Sequence, residues 1–115
     1  YRPQRMTQWT ETMSGYANVA AAEAGWVRPW KHAPLQVDVD FHFRRTSSNV
    51  KADQFKATRP DIDNLLKSAF DSLTRAGVIW DDGQIAVTTV RKLIDEKWQG
   101  VVVTVEEISD DTSIA

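Results

Sequence analysis

The sequence predicts an α+β fold, a small mixed β-sheet packed against two helices. Three observations predict it. A strict apolar–polar alternation runs from Leu35 to Phe43, the pattern of a strand with one buried face. A stripe of Ile62, Leu65, Leu66, Ala69, Phe70 and Leu73 follows it, at the three- and four-residue steps of a helix lying on a core. Two further strand-like runs, Gln84 to Ile94 and Trp98 to Ile108, come after that helix with no third helix between them. Strand, helix, strand is a crossover unit if the two strands are parallel. The last run then adds an antiparallel neighbour.

Taken in order, residues 1–8 read as an extended basic arm carrying Arg2, Pro3, Gln4 and Arg5. From Trp9 to Ala24 the spacing of Trp9, Met13, Tyr16, Ala17, Ala20, Ala21 and Ala24 predicts a helix, and Gly25 ends it. Trp26 to Pro34 reads as a connection, since Pro29 and Pro34 exclude regular structure. The strand 35–43 turns Leu35, Val37, Val39, Phe41 and Phe43 to the core and Gln36, Asp38, Asp40 and His42 to solvent. Arg44 to Arg59 is a long polar segment without clear structure; such loops in small domains are usually functional or mobile. The second helix covers about 60–76, with Gly77 as its stop. Asp81-Asp82-Gly83 is a turn signal. Gln84 to Ile94 and Trp98 to Ile108 read as hairpin partners around a turn within 95–100. Residues 1–108 form a single domain, and 109–115 an acidic tail expected to be disordered.

Composition narrows the chemistry. A chain of 115 residues with 42% hydrophobic content suits one domain. It has no Cys, which excludes disulfides and thiolate metal sites. A metal would need carboxylate, imidazole, carbonyl or water ligands, which favours Mg²⁺, with Mn²⁺ as a substitute. No apolar run approaches the roughly 20 residues of a membrane span and no signal peptide is visible, so a cytoplasmic protein without membrane contact is expected. The net charge of −2 is unevenly divided. Residues 1–60 hold nine Lys/Arg against five Asp/Glu, and residues 61–115 five against eleven. That division is compatible with a basic approach surface beside an acidic site, and equally with an acidic tail on an ordinary domain.

The chemistry concentrates at two acidic pairs. Asp61 and Asp63 stand at the start of the second helix. The plain explanation is N-capping and interaction with the helix dipole, worth about 0.5–2 kcal/mol, yet a cap needs one acid. Asp81 and Asp82 have the plain explanation of a turn. Topology raises a second option. A helix of about sixteen residues spans ~24 Å, and the extended residues after it recover most of that length. Asp82 could then approach Asp61 and Asp63, in one subunit or across a dimer. Clustered carboxylates need a cation among them, and an all-oxygen site holding Mg²⁺ can activate water for phosphodiester hydrolysis. Lys67, one turn after Asp63, either forms an i,i+4 ion pair worth a few tenths of a kcal/mol, or neutralises a phosphate oxygen or orients the attacking water. Arg44, Arg45, Lys51, Lys56 and Arg59 are either a solvated loop or a phosphate grip. Trp80, beside the second pair, is either core or a base-stacking surface. Asp38 and Asp40 read as exposed residues of the polar strand face, with a site role as the lesser alternative, and His32 and His42 as ordinary polar residues.

Arg59-Pro60-Asp61-Ile62-Asp63-Asn64-Leu65-Leu66-Lys67, followed by Gly77-Val78-Ile79-Trp80-Asp81-Asp82-Gly83-Gln84-Ile85, resembles the signature of the RusA-type crossover junction endodeoxyribonucleases of bacteria, phages and prophages. The resemblance is strong over 59–85 and weak over 35–43 and 86–108. It implies a RusA-like fold and a Mg²⁺-dependent homodimer that resolves four-way (Holliday) DNA junctions by paired symmetric nicks. It further implies an acidic triad of Asp61, Asp63 and Asp82 as catalytic metal ligands, with Lys67 as an essential lysine. Asn64, Asp81 and Gln84 match motif positions of uncertain role. Two alternatives stand beside this reading: a metal-dependent nuclease without junction selectivity, and a non-catalytic DNA-binding or interaction module of the same fold.

Overall fold

The strand read most clearly from the sequence is also the spatial centre of the protein. The structure is a computed structural model that describes residues 4–46 and 54–109, and for 4–12 the backbone alone. Its elements run α1 (Gln4–Glu23), β1 (Leu35–Arg44), α2 (Ile62–Arg75), a 3₁₀ turn (Asp82–Gln84), β2 (Ile85–Asp95) and β3 (Gly100–Glu107). The sheet order is β2-β1-β3, with β1 parallel to β2 and antiparallel to β3. This is the α+β arrangement expected, with the crossover through α2.

β1 is central because its alternation is complete. Leu35, Val37, Val39 and Phe41 are buried, and they meet Leu65, Ala69 and Leu73 on the stripe of α2, together with Val78 and Ile79. Burying each large apolar side chain contributes about 1.5–3 kcal/mol. The opposite face of β1 is polar and satisfied across strands. Arg91 donates from Nε and Nη2 to the two carboxylate oxygens of Asp40 at 2.7 and 2.6 Å. Asp38 accepts from the Thr89 amide at 3.2 Å, and His42 Nδ1 lies 3.1 Å from Asp95 Oδ2.

Both helices end alike. Gly25 and Gly77 adopt φ of 70° and 77°, the left-handed conformation that glycine takes without steric cost. Trp26 N–H donates to Ala21 O and Val78 N–H to Leu73 O, while Gly25 and Gly77 N–H reach Ala22 O and Thr74 O. These are paired Schellman bonds. The two ends are tied by Trp26 Nε1, which donates to Val78 O at 2.9 Å. The helices run side by side in the same direction, with Ser14 Oγ donating to Ser72 O and Asn18 Nδ2 to Ala76 O. Buried Ser14, Ser68 and Ser72 are small enough to permit the close approach.

Three expectations need correction. Residues 4–8 belong to α1, not to an extended arm; Gln, Arg and Met are good helix formers, whatever their charge. β3 is not the hairpin partner of β2 but pairs with the far edge of β1, bringing Val101, Val103 and Val105 opposite Phe41, Val39 and Val37. The most apolar strand thereby gains a neighbour on each side. The segment before α2 is partly ordered against the sheet, because Phe55 bridges Leu93 and Ile94 N–H donates to Gln54 O. Lys51 and the tail from residue 110 lie outside the described residues.

Candidate functional site

The chain reaches Asp61 through a loop that β2 holds from beneath. Lys92 occupies the core-facing register of β2, opposite Phe41, and its Nζ donates to Thr58 O and Pro60 O, both at 2.8 Å. Two carbonyls on one ammonium fix the approach to α2. Asp61 is the N-cap residue, extended at φ −72° and ψ 142°, and its carbonyl accepts from Leu65 N–H at 3.2 Å. Its carboxylate makes no capping hydrogen bond. Asp61, Asp63, Asn64 and Lys67 are all exposed, and among the described residues no ion pair joins Asp63 to Lys67. The capping hydrogen bond weighed for Asp61 and the ion pair weighed for Lys67 are therefore not formed, while Asp63 stays in the first turn, where the helix dipole favours an acid.

Basic residues gather at this same end of the sheet. Arg44 closes β1 and is exposed, as is Arg59. Arg45 pairs with Glu96 through Nε at 2.8 Å, which offsets its charge. Lys56 donates to Thr58 Oγ1 at 2.9 Å and lies 5.3 Å from the centroid of Phe43. Asp95 turns the chain nearby by accepting from the amides of Lys97 and Trp98. Those backbone bonds, with His42, hold its carboxyl below the usual carboxylate range.

The second acidic pair lies at the other end of α2. After Gly77, Val78 and Ile79 plunge into the core instead of running back along the helix. Asp81 then caps the 3₁₀ turn, accepting from Gly83 N–H at 2.9 Å. A Cβ on Gly83 would stand 2.7 Å from that same carboxylate oxygen, so glycine is what allows the cap. Gln84 is only 8% exposed, and its whole amide is used. Oε1 accepts from Trp80 N–H at 2.8 Å and Asp81 N–H at 3.3 Å, and Nε2 donates to Trp30 O at 3.0 Å and Ala33 O at 3.1 Å. Asp81 and Gln84, whose roles the motif left open, are thus structural. Asp82 is exposed.

Within one chain the triad does not converge. Asp61 stands at the N-terminal end of α2, whose 14 residues span roughly 21 Å at 1.5 Å per residue, and the 81–84 turn follows its C-terminal end. Among the described residues no group of three or more His, Asp or Glu side chains is placed to hold a metal ion. Of the two options weighed, the approach of Asp82 to Asp61 within one subunit forms no such group among the described residues, and Val78 and Ile79 are buried in the core instead of serving as a spacer. Sequence reasoning also passed over Lys92, although a lysine in the inward register of Thr88, Val90 and Ile94 was a visible signal. It treated 26–34 as mere connection, whereas Gln84 bonds that loop to the acidic turn.

Comparison with known proteins gives the family. Residues 1–106 match the family model described as Endodeoxyribonuclease RusA. The crossover junction endodeoxyribonuclease rusA of Lactococcus phage r1t is 37% identical over 67 residues, 58% of this chain and 50% of the phage protein. The crossover junction endodeoxyribonuclease RusA of Escherichia coli (strain K12) is 40% identical over 53 residues, 46% of this chain and 44% of that protein. The protein of that name from Shigella sonnei gives the same figures. The chain spans about half the length of the curated relatives it matches. No helix among the described residues is long and apolar enough to cross a membrane. With the family model matched from the first residue to beyond Val105, through both acidic segments and all three strands, the chain belongs to the endodeoxyribonuclease RusA family.

Proposed function

We propose that this chain is a divalent-metal-dependent endodeoxyribonuclease that nicks four-way DNA junctions symmetrically. It works as a twofold dimer in the cytoplasm of a bacterial or phage-infected cell, with Asp61, Asp63 and Lys67 of one copy beside Asp82 of the other. The observation that carries the reading is Asp61, an N-cap residue whose carboxylate does not cap. Capping would stabilise the helix by about 1 kcal/mol, and this exposed carboxylate makes no such bond. Family membership and the names of the relatives support the reaction and the substrate.

The donor chemistry suits a hard cation, because every candidate ligand is a carboxylate oxygen. The count in one chain does not suit it, since no three-donor group forms there among the described residues. Two copies related by a twofold axis, with their α2 helices antiparallel, would pool the two ends and do so twice. Two pooled sites accord with two strands cut. The bound cation, Mg²⁺ or Mn²⁺, would supply activated water and charge neutralisation. Lys67 offers an ammonium one turn behind Asp63. Arg44, Lys56 and Arg59 would hold phosphates of the adjoining strand, with Arg45 weaker because Glu96 shares its charge.

A labelled four-way junction and a matching linear duplex, incubated with Mg²⁺ or EDTA, test the reading beside Asp82→Asn. Symmetric nicks in the junction alone, lost with EDTA and in the variant, are the expected result. Nicking of both substrates would leave a nuclease without junction selectivity. No cleavage by folded protein would leave a DNA-binding module.

A further inference from the structure

The Asp82 end of the molecule carries aromatic and cationic groups that the proposed hydrolysis does not use. A cleft of about 570 Å³ opens beside the acidic turn, with Trp80, Asp81 and Gly83 on one side and Lys31, His32 and Pro34 on the other. Trp80 is 47% exposed and Trp30 is 69% exposed, large apolar surfaces left in water. Arg28 braces Trp80, its guanidinium carbon 3.4 Å from the ring centroid. Trp30 backs His32 edge-on, with ring centroids 4.7 Å apart. The two walls are fastened to each other by the buried Gln84 amide, which bonds the backbone of Trp30 and Ala33 on one side and of Trp80 and Asp81 on the other. Trp26 Nε1 anchors the base of the same loop to Val78 O. Five side-chain bonds hold a cleft whose aromatic lining does nothing for the core.

We infer that this cleft receives an unstacked nucleobase from the DNA strand held at Asp82. The base would lie on Trp80, and Lys31 would take a neighbouring phosphate. Aromatic rings flanked by cations suit an unpaired nucleotide, since every base has a π face and every linkage a negative charge. A cleft already fixed by Gln84 loses little entropy on receiving it. Bases beside a branch point are cheaper to unstack than those within a continuous duplex. The inference rests on the junction-nuclease reading and adds to it a recognition site outside the carboxylates.

The test uses the full chain in EDTA, so that no strand is cut, and a four-way junction with 2-aminopurine replacing a base next to the branch point. Wild type should change the probe's emission on binding, and the same label within a linear duplex should not respond. Trp80→Ala should bind the junction about tenfold more weakly and give no emission change, while Trp80→Phe keeps both. His32→Ala and Lys31→Ala provide independent readings should Trp80→Ala not fold. Junction binding and emission unchanged in Trp80→Ala, or in both His32→Ala and Lys31→Ala, would overturn the inference. If wild type nicks junctions with Mg²⁺ but the probe never responds, the cleft assignment fails and the nuclease reading stands. If wild type neither binds nor nicks, both fail.

Discussion

A mixed dimer decides whether the carboxylates act within a chain or between chains. The perturbation is a heterodimer of one Asp63→Asn chain and one Asp82→Asn chain, prepared by co-expression with two different tags and purified through both. Donors to one Mg²⁺ sit about 2.1 Å from it and so within a few ångströms of each other. Asp61 and Asp82 of one chain flank opposite ends of α2, whose 14 residues span roughly 21 Å, and among the described residues they join no three-donor group. If each site pools Asp61 and Asp63 of one copy with Asp82 of the other, the heterodimer has one site with both substitutions and one with neither. Each homodimeric variant has two damaged sites. The heterodimer should therefore nick at about half the wild-type rate for a first cut, while both homodimers stay inactive.

A supercoiled plasmid with an extruded cruciform reads this directly. Paired nicks linearise it, and a single nick only relaxes it. Wild type should yield linear product, the heterodimer open circles, and each homodimer neither. A heterodimer as inactive as its parents, with normal melting and dimer mass, would refute the reasoning, because sites lying within single chains are each damaged in that molecule.

Three further predictions concern what holds the site. Lys92→Met removes the donors to Thr58 O and Pro60 O, and should destabilise the protein by about 1–3 kcal/mol and speed amide exchange around residues 58–64 in mass spectrometry; unchanged exchange there would argue against an anchoring lysine. Gln84→Ala leaves four backbone groups without their partner and should also cost about 1–3 kcal/mol in urea unfolding, whereas an unaltered midpoint would mean water replaces the amide freely. The hydrogen bond from Arg91 holds the Asp40 carboxyl below the usual carboxylate range. That contribution is present above the unfolded carboxyl's pKa and lost as pH falls through the depressed folded value, so wild type and Asp40→Asn should converge in urea midpoint as the medium is acidified below about pH 4; a constant gap across that range would contradict it.

How much was legible in the chain follows from how local each signal was. β1 and α2 were readable because alternation and the 3.6-residue stripe report burial of one face without reference to any partner. The place of β3 was not. Val101, Val103 and Val105 would suit an edge beside either β1 or β2, and the choice fell to the strand whose core-facing side chains, Leu35, Val37, Val39 and Phe41, are fully buried. The start of α1 was misread because charge was weighed and helix propensity was not. The site residues were visible as types and spacings, but their separation was not. It depends on whether Val78-Ile79 runs along the helix or into the core, and the apolar residue that commonly follows a helix-ending glycine points to the core.

Asp81 and Asp82 explain why two adjacent acids need separate accounts. Asp81 spends its carboxylate on Gly83 N–H, and with Gln84 it forms the reciprocal cap that shapes the 3₁₀ turn. That leaves Asp82 exposed on a turn whose geometry does not depend on it. The other end of α2 divides the work in the same way, since Lys92 fixes the loop through backbone carbonyls and the carboxylate of Asp61 takes no part in the cap. At each end a partly or wholly buried side chain carries the structure and an exposed carboxylate is left free. A residue relieved of structural duty can carry charge that would otherwise oppose folding, and it can approach a second molecule without disturbing its own. Both acidic segments of the family signature have this form, as the proposed dimer-shared site requires.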